Sequence, residues 1–264
     1  MFPELFRIGS FKVGSFGLVM VLAFALGFYV ARKRASLYNL TPDTITDVLF
    51  WSILAGIFGA RIAFIAQEWS YYSTRPKELW SIQFDGLTSF GGFIFGALAL
   101  LIVCKVRKTS AWTAMDGLGV SVLAANAVGR LACFLNGCCF GVATESWIGV
   151  RPHGHTHSHL PAQLLELALD AIFALLVVRL SRDKWTWPGY TIGLSFAFLG
   201  LGRFIYEFFR AGTRAEVQEG LASSTRIPGT WITEAQVMAL VFSIVGLAMV
   251  FHAVKKAQKV AQTP

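Results

Sequence analysis

The chain has 264 residues, of which 55% are hydrophobic and only 14% charged, with 23 phenylalanines and 8 tryptophans. That balance excludes one or two soluble domains and points to an integral membrane protein. The net charge of +8 does not imply nucleic acid, because twelve of the 23 basic residues fall in four short clusters between apolar segments and no basic groove or stacking motif accompanies them.

Seven windows reach the roughly 20 helical residues needed to cross a hydrocarbon core of about 30 Å: 13–31, 47–67, 86–104, 111–135, 162–180, 187–208 and 232–253. Arg32, Lys33 and Arg34 follow the first window, and Lys105, Arg107 and Lys108 follow the third. Arg179, Arg182 and Lys184 flank the end of the fifth, and Lys255, Lys256 and Lys259 follow the seventh. Every other connection is basic, so the positive-inside rule puts those four in the cytoplasm, the N-terminus outside and the C-terminus inside. The expected fold is all-α, a polytopic integral membrane protein with seven transmembrane helices forming a single membrane domain over 1–264. The first window lacks a small-residue cleavage site and has its cations after the apolar run, so it reads as a retained helix rather than a signal peptide.

The outer connections, 68–85, 137–161 and 209–231, mix Trp, Pro and Gly with charge and read as short helices or turns on the outer surface. Three arginines, Arg61, Arg130 and Arg203, fall inside windows. Placing an arginine at the bilayer centre costs about 2.5–3.5 kcal/mol on insertion scales, so each calls for a partner, a polar cavity or a snorkelling route. At 1.5 Å per residue all three lie roughly 20–30 Å from the cytoplasmic starts of their windows, in the outer half of the bilayer. The openings of the inward-running windows reach the same level: Ser89 to Gly92, Gln163 and Glu166, and Glu234 and Gln236. Polar groups from six windows are therefore expected to converge. A single Arg–Glu pair serves helix packing equally well, but three arginines at one depth read as a cavity for an anion such as a phospholipid phosphate. In GLGRFIYEFFR, Arg203 and Glu207 share a helix face, so Glu207 is placed to orient the guanidinium. Arg210, further outward, reads as a headgroup anchor.

The stretch GRLACFLNGCCFG from Gly129 to Gly141 holds three cysteines. Cys133, one turn beyond Arg130, is a candidate base or covalent acceptor beside the cation. The alternative is that small cysteines fill tight contacts. A disulfide would join Cys133 to Cys138 or Cys139, while Cys104 belongs to packing at the far end. His153, His155, His157 and His159 alternate, so an extended segment puts them on one side, where with Cys138 or Cys139 they offer soft-metal ligands. A solvated loop is the plainer reading.

With GRLACFLNG, PAQLLE, LGRFIYEFFR and TEAQV placed in order after VGSFGLVMVLAFALGFYVARKRA, GARIAF and LTSFGGFIFG, the chain resembles the prolipoprotein diacylglyceryl transferase family over nearly its full length. The resemblance implies a multi-pass enzyme of the bacterial cytoplasmic (inner) membrane. Such an enzyme moves the diacylglyceryl group of phosphatidylglycerol onto the lipobox cysteine of a preprolipoprotein as a thioether, releasing glycerol phosphate. By resemblance Arg130 and Arg203 stabilise the phosphate, Asn136 and Gly141 shape the site, Glu207 orients Arg203, and Arg61 and Gln163 bind the headgroup. Cys133 joins Arg130, Arg203 and Asn136 as a catalytic candidate. No cofactor and no metal is assigned. The implied partners are phosphatidylglycerol, the preprolipoprotein signal peptide and membrane lipids, with no nucleic acid and an open oligomeric state.

The departures define a divergent branch with a GCCFG motif. Gly91 stands where family members carry a histidine in SFHGG, and Phe16 stands in place of an early tyrosine. Cys133, Cys138 and Val142 replace an asparagine, a glutamate and an arginine of the family's GRxGNFINGE region. Two rival readings follow: a non-catalytic or transport protein that keeps a phospholipid pocket, and a metal permease using the Cys/His tract. The chain shows no internal repeat of the kind transporters carry.

Overall fold

Each apolar window becomes a helix because only a helix satisfies every backbone group within its own segment when the surroundings are apolar. The computed structural model describes residues 4–8, 11–75, 88–152, 154–185 and 187–262. Its long helices are α1 (Ser15–Arg34), α2 (Pro42–Gln67), α4 (Ser89–Val106), α5 (Ala111–Asn136), α6 (Ala162–Leu180), α7 (Tyr190–Phe208) and α9 (Glu234–Gln262). Two short helices, α3 (Trp69–Tyr72) and α8 (Arg214–Gln218), lie in connections.

Local chemistry sets the ends. Helix α2 begins at Pro42 rather than 47 because the Thr41 hydroxyl accepts the Thr44 amide and Pro42 takes the first helical position. Helix α5 stops where Gly137 adopts φ 76°, a left-handed conformation that terminates helices. At the start of α9, Thr233 and Gln236 exchange side-chain and backbone hydrogen bonds of 2.9 and 3.1 Å, the reciprocal capping arrangement. That helix runs on to Gln262, past the expected 253, since its last turns carry lysine, alanine and glutamine, all good helix formers.

The chain is not purely helical. Strand β1 (Glu4–Ile8) pairs antiparallel with β2 (Phe11–Gly14), and two-residue strands β3 (Ala211–Gly212) and β4 (Ser224–Thr225) pair in parallel. Of the expected outer-surface elements, 68–85 supplies α3 and 209–231 supplies α8, whereas 137–161 forms bridges instead of a helix. Residues 76–85 of the first lie outside the described residues.

Helix α5 is the centre, packing on α1, α6 and α7, with α9 against α7 and α2 paired to α4. The α2–α4 pair approaches to backbone contact: a Cβ on Gly91 would lie 2.3 Å from the Gly59 carbonyl oxygen. Along the outer faces large apolar side chains are exposed, among them Val21, Phe93, Leu175 and Phe251, while Asp116, Gln163, Glu166, Asp170, Glu207 and Gln236 are buried. This arrangement, apolar out and polar in, suits lipid as the surrounding solvent. Four of the helical segments are long and apolar enough to cross a membrane, and Phe90–Val106 is apolar but shorter.

One end of the bundle gathers basic clusters. Arg32 meets Asp43 at 3.6 Å, Arg107 pairs with Asp47, and Arg34 lies over Trp185. Beneath them the Asp116 carboxylate accepts the Gly189 and Ile192 amides at 2.6 and 2.9 Å. An acid within α5 thus satisfies free donors at the N-terminus of α7.

Candidate functional site

At the opposite end, α5, α6 and α7 bring their charged residues to one place. Arg130 Nε lies 2.9 Å from Glu166 Oε2, and Arg203 Nη1 lies 4.0 Å from the same oxygen. Arg203 Nη2 reaches Glu207 Oε2 at 3.2 Å, and Arg210 Nη1 reaches it at 3.7 Å. Three guanidiniums and two glutamates therefore form one chain of ion pairs. The glutamates are almost fully buried, while the side chains of Arg130 and Arg203 keep 19% and 30% exposure. All three guanidiniums also surround the Tyr206 ring, 5.0–5.6 Å from its centroid. A turn further along α6 from Glu166, Asp170 accepts the Asn126 amide at 2.6 Å. Each buried glutamate of this group meets a guanidinium, as a buried charge requires.

The GCCFG turn packs beside these residues, and its backbone is held at four consecutive carbonyls. Gln163 Nε2 donates to Cys138 O at 2.6 Å, Tyr206 Oη to Cys139 O at 2.7 Å and Ser223 Oγ to Phe140 O at 2.7 Å. His159 Nδ1 bonds Gly141 O at 3.0 Å. Gly141 itself has no room for a side chain, since a Cβ there would come within 2.6 Å of Phe209 O and 2.8 Å of Leu160 O. Cys139 takes φ 59°, a left-handed conformation uncommon for a residue with a side chain. As a result the Sγ atoms of Cys133, Cys138 and Cys139 all lie within 4.8 Å of one another, and all four cysteines are free thiols. The Cys139 thiol, outside the helices, is pushed down by hydrogen bonds from Cys133 and Cys138 and by the Arg210 and Arg130 charges.

Several expectations need correction. Among the described residues the ion-pair chain draws on α5, α6, α7 and the turn after α7 rather than on six helices. Arg61 forms no ion pair with Glu166 or Glu207 and lies over the Tyr72 and Phe64 rings at 5.5 and 5.9 Å. Gly91 and Gly92 are committed to packing on α2, and Gln236 caps α9 and bonds Phe204 O at 3.3 Å. Glu234 is exposed. Arg210 is not a free headgroup anchor, because its side chain is 12% exposed, pairs with Glu207 and donates to Ser223 O.

Two of the histidines share a side: the His155 and His159 rings lie 5.5 Å apart, and both meet Phe140. His159 is buried and His155 packs on Phe140, 4.6 Å between ring centroids. His157 instead borders a surface cavity with Glu145 and Arg151. His153 lies outside the described residues. Asn136 is exposed at the last residue of α5. Sequence reasoning passed over Tyr206, Asn126 and Asp170. The spacing of Glu166 and Asp170 on one apolar helix, four residues apart, was the signal available for the acid.

Fold and site together define a helical membrane protein with a cluster of three arginines and two buried glutamates at one end. The family model for prolipoprotein diacylglyceryl transferases matches residues 3–252, and the chain belongs to that family. It is similar to the phosphatidylglycerol–prolipoprotein diacylglyceryl transferase of Staphylococcus aureus strain Newman, 25% identical over 260 residues that cover 95% of this chain and 88% of the relative. The protein of the same name from strain JH9 matches to the same extent.

Proposed function

We propose that this protein transfers the diacylglyceryl group of phosphatidylglycerol to the lipobox cysteine of preprolipoproteins, in the outer half of a bacterial cytoplasmic membrane. All seven long helices cross the bilayer in this reading, as a single domain with the N-terminus outside. The end bearing Arg32, Arg107 and Lys184 faces the cytoplasm. The observation that carries the reading is the meeting of Arg130 and Arg203 on Glu166 Oε2.

The reaction breaks the bond between the glyceryl carbon and the phosphate oxygen, so negative charge grows on phosphate as the thiolate attacks. Guanidiniums fixed in a dry pocket stabilise that charge without reorganising, an effect worth about 2.7–4 kcal/mol for one donor in comparable sites. Glu166 and Glu207 set the two guanidinium planes before substrate arrives, and the exposed parts of Arg130 and Arg203 are the surfaces that meet the anion. Gln163, Gly141 and Asn136 belong to the rim formed by the GCCFG turn. Arg61, over the rings of α2 and α3, contributes a more distant headgroup contact.

The test is complementation. The chain is expressed where the resident transferase is depleted, and a model preprolipoprotein is followed by intact mass. A diacylglyceryl adduct that disappears with Arg130→Ala at normal membrane abundance supports the reading. An unmodified substrate with the wild-type chain equally abundant overturns it.

A further inference from the structure

We propose that Cys133, Cys138 and Cys139 form a zinc site whose fourth position takes the acceptor thiol. The idea rests on the transferase reading above and concerns the nucleophile, which the arginines do not supply.

Zinc held by thiolates has Zn–S distances of about 2.3 Å in a tetrahedron, which puts neighbouring sulfurs about 3.8 Å apart by simple geometry. The three Sγ atoms already lie within 4.8 Å of one another, so binding needs only a small inward movement of each. Among the described residues no histidine or carboxylate joins the group. An all-sulfur set selects soft or borderline ions over magnesium or calcium. Three protein ligands with one vacancy is the pattern of reactive zinc, where four mark a structural one.

The backbone supports the assignment. Left-handed Cys139 keeps its Sγ within 4.8 Å of that of Cys133 in the last turn of α5, at a conformational cost that strained residues at functional sites commonly bear. Bonds from Gln163 and Tyr206 to the Cys138 and Cys139 carbonyls fix the ligands as outer-shell partners do in metal centres. The charges also balance: three thiolates and Zn²⁺ leave one negative charge on the site.

The step balances. The acceptor thiol binds zinc as its thiolate and its proton passes to water, since a coordinating thiol is deprotonated outright. Its sulfur attacks the glyceryl carbon, a C–S bond forms, and the C–O bond breaks with its electron pair going to the phosphate oxygen beside Arg130 and Arg203. The neutral thioether is a weak ligand and leaves. Zinc is unchanged and nothing is oxidised.

The experiment uses the full chain, purified reduced in detergent. Elemental analysis is expected to find one zinc per chain. Replacement by Co²⁺ should give thiolate-to-cobalt charge-transfer bands, and a lipobox peptide thiol should shift the visible cobalt bands. Cys139→Ser should weaken Zn²⁺ by about tenfold or more, whereas Cys104→Ser, in the apolar cluster at the far end, should not. Sub-stoichiometric zinc with four reduced thiols, a Cys133 disulfide in protein taken directly from membranes, bound copper in place of zinc, or cobalt bands indifferent to the peptide would each overturn the proposal. Because stripping zinc from wild type needs no variant, misfolding does not confound the assay. Full transfer by the stripped protein sinks the zinc site while the transferase reading stands. Zinc and peptide binding without transfer from phosphatidylglycerol sinks the donor assignment while the site stands.

Discussion

Two parts of the molecule solve the problem of packing helices in opposite ways. In the α2–α4 wing, glycines let backbones touch, and Gly91 has no space even for a Cβ beside Gly59. In the α5–α6–α7 core, buried charges do the work: Glu166 and Glu207 draw three arginines into one chain. The first arrangement gains dispersion and close contact. The second places fixed charge where a reaction can use it, and because those pairs are desolvated, removal of one partner is far more costly than loss of a surface pair.

The largest expected difference between the parts is therefore chemical. Arg130→Ala should lower diacylglyceryl transfer by about 10²–10³-fold, read as adduct formed per unit time at matched membrane abundance. Arg61→Ala, at a residue outside the ion-pair chain that lies over the Phe64 and Tyr72 rings, should lower it by less than the Arg130 change. Equal losses would erase the distinction between wing and core.

Next in size is a change confined to the wing. Gly91→His inserts a side chain against the Gly59 carbonyl, 2.3 Å from its Cβ position, and overpacking of that kind costs about 1–3 kcal/mol. A lower melting midpoint in detergent is expected, with no gain in transfer. Should this histidine be tolerated and raise activity, the wing would have to open, and its role as passive packing would be wrong. A smaller loss is expected in the core at the cationic end. Asp116→Ala strips the acceptor from the Gly189 and Ile192 amides, which by analogy with lost helix caps costs about 1–2 kcal/mol. Denaturant or thermal titration of the purified protein measures it.

How much of this was legible in the sequence follows the same division. The long helices were, because window length and basic clusters are written locally, and α6 runs over the same residues 162–180 as its window. The Arg203 and Glu207 contact was also legible, since four residues on a helix fix a shared face. The azimuth of each helix was not legible. Which neighbour Arg61 and Arg130 each face depends on how α2 pairs with α4 and α5 with α6, and one chain's pattern does not encode that. The histidine tract was legible only in part: His155 and His159 meet on Phe140, but His157 borders a surface cavity instead, and Gly154 turns the chain at φ 81°. The role of Gln163 in holding the Cys138 carbonyl depends on a contact across 25 residues, beyond any local signal.

The smallest expected effect concerns pH and the turn that joins the arginines to the thiols. Burial depresses His159 below its ordinary value of 6.5, with the nearby His155 and His157 acting in the same direction, while its bond to Gly141 O opposes them. The folded state therefore prefers neutral His159, and on acidification the unfolded chain takes up the proton first. Between the two pKa values the unfolded state binds more protons, so stability rises with pH in that window. The contribution is fully present above 6.5 and is lost as pH falls through the folded value. Melting midpoints in detergent should accordingly be flat for this group from pH 8 to 6.5 and fall below it. His159→Asn keeps a donor near the Nδ1 position without a titrating ring and should flatten that fall. If the variant and the parent decline in parallel, the acid sensitivity resides elsewhere and His159 is only packing. If they diverge, the turn that carries Cys138 and Cys139 is tied to the fold through one neutral imidazole, and the polar core has a pH-sensitive fastening that the glycine-packed wing lacks.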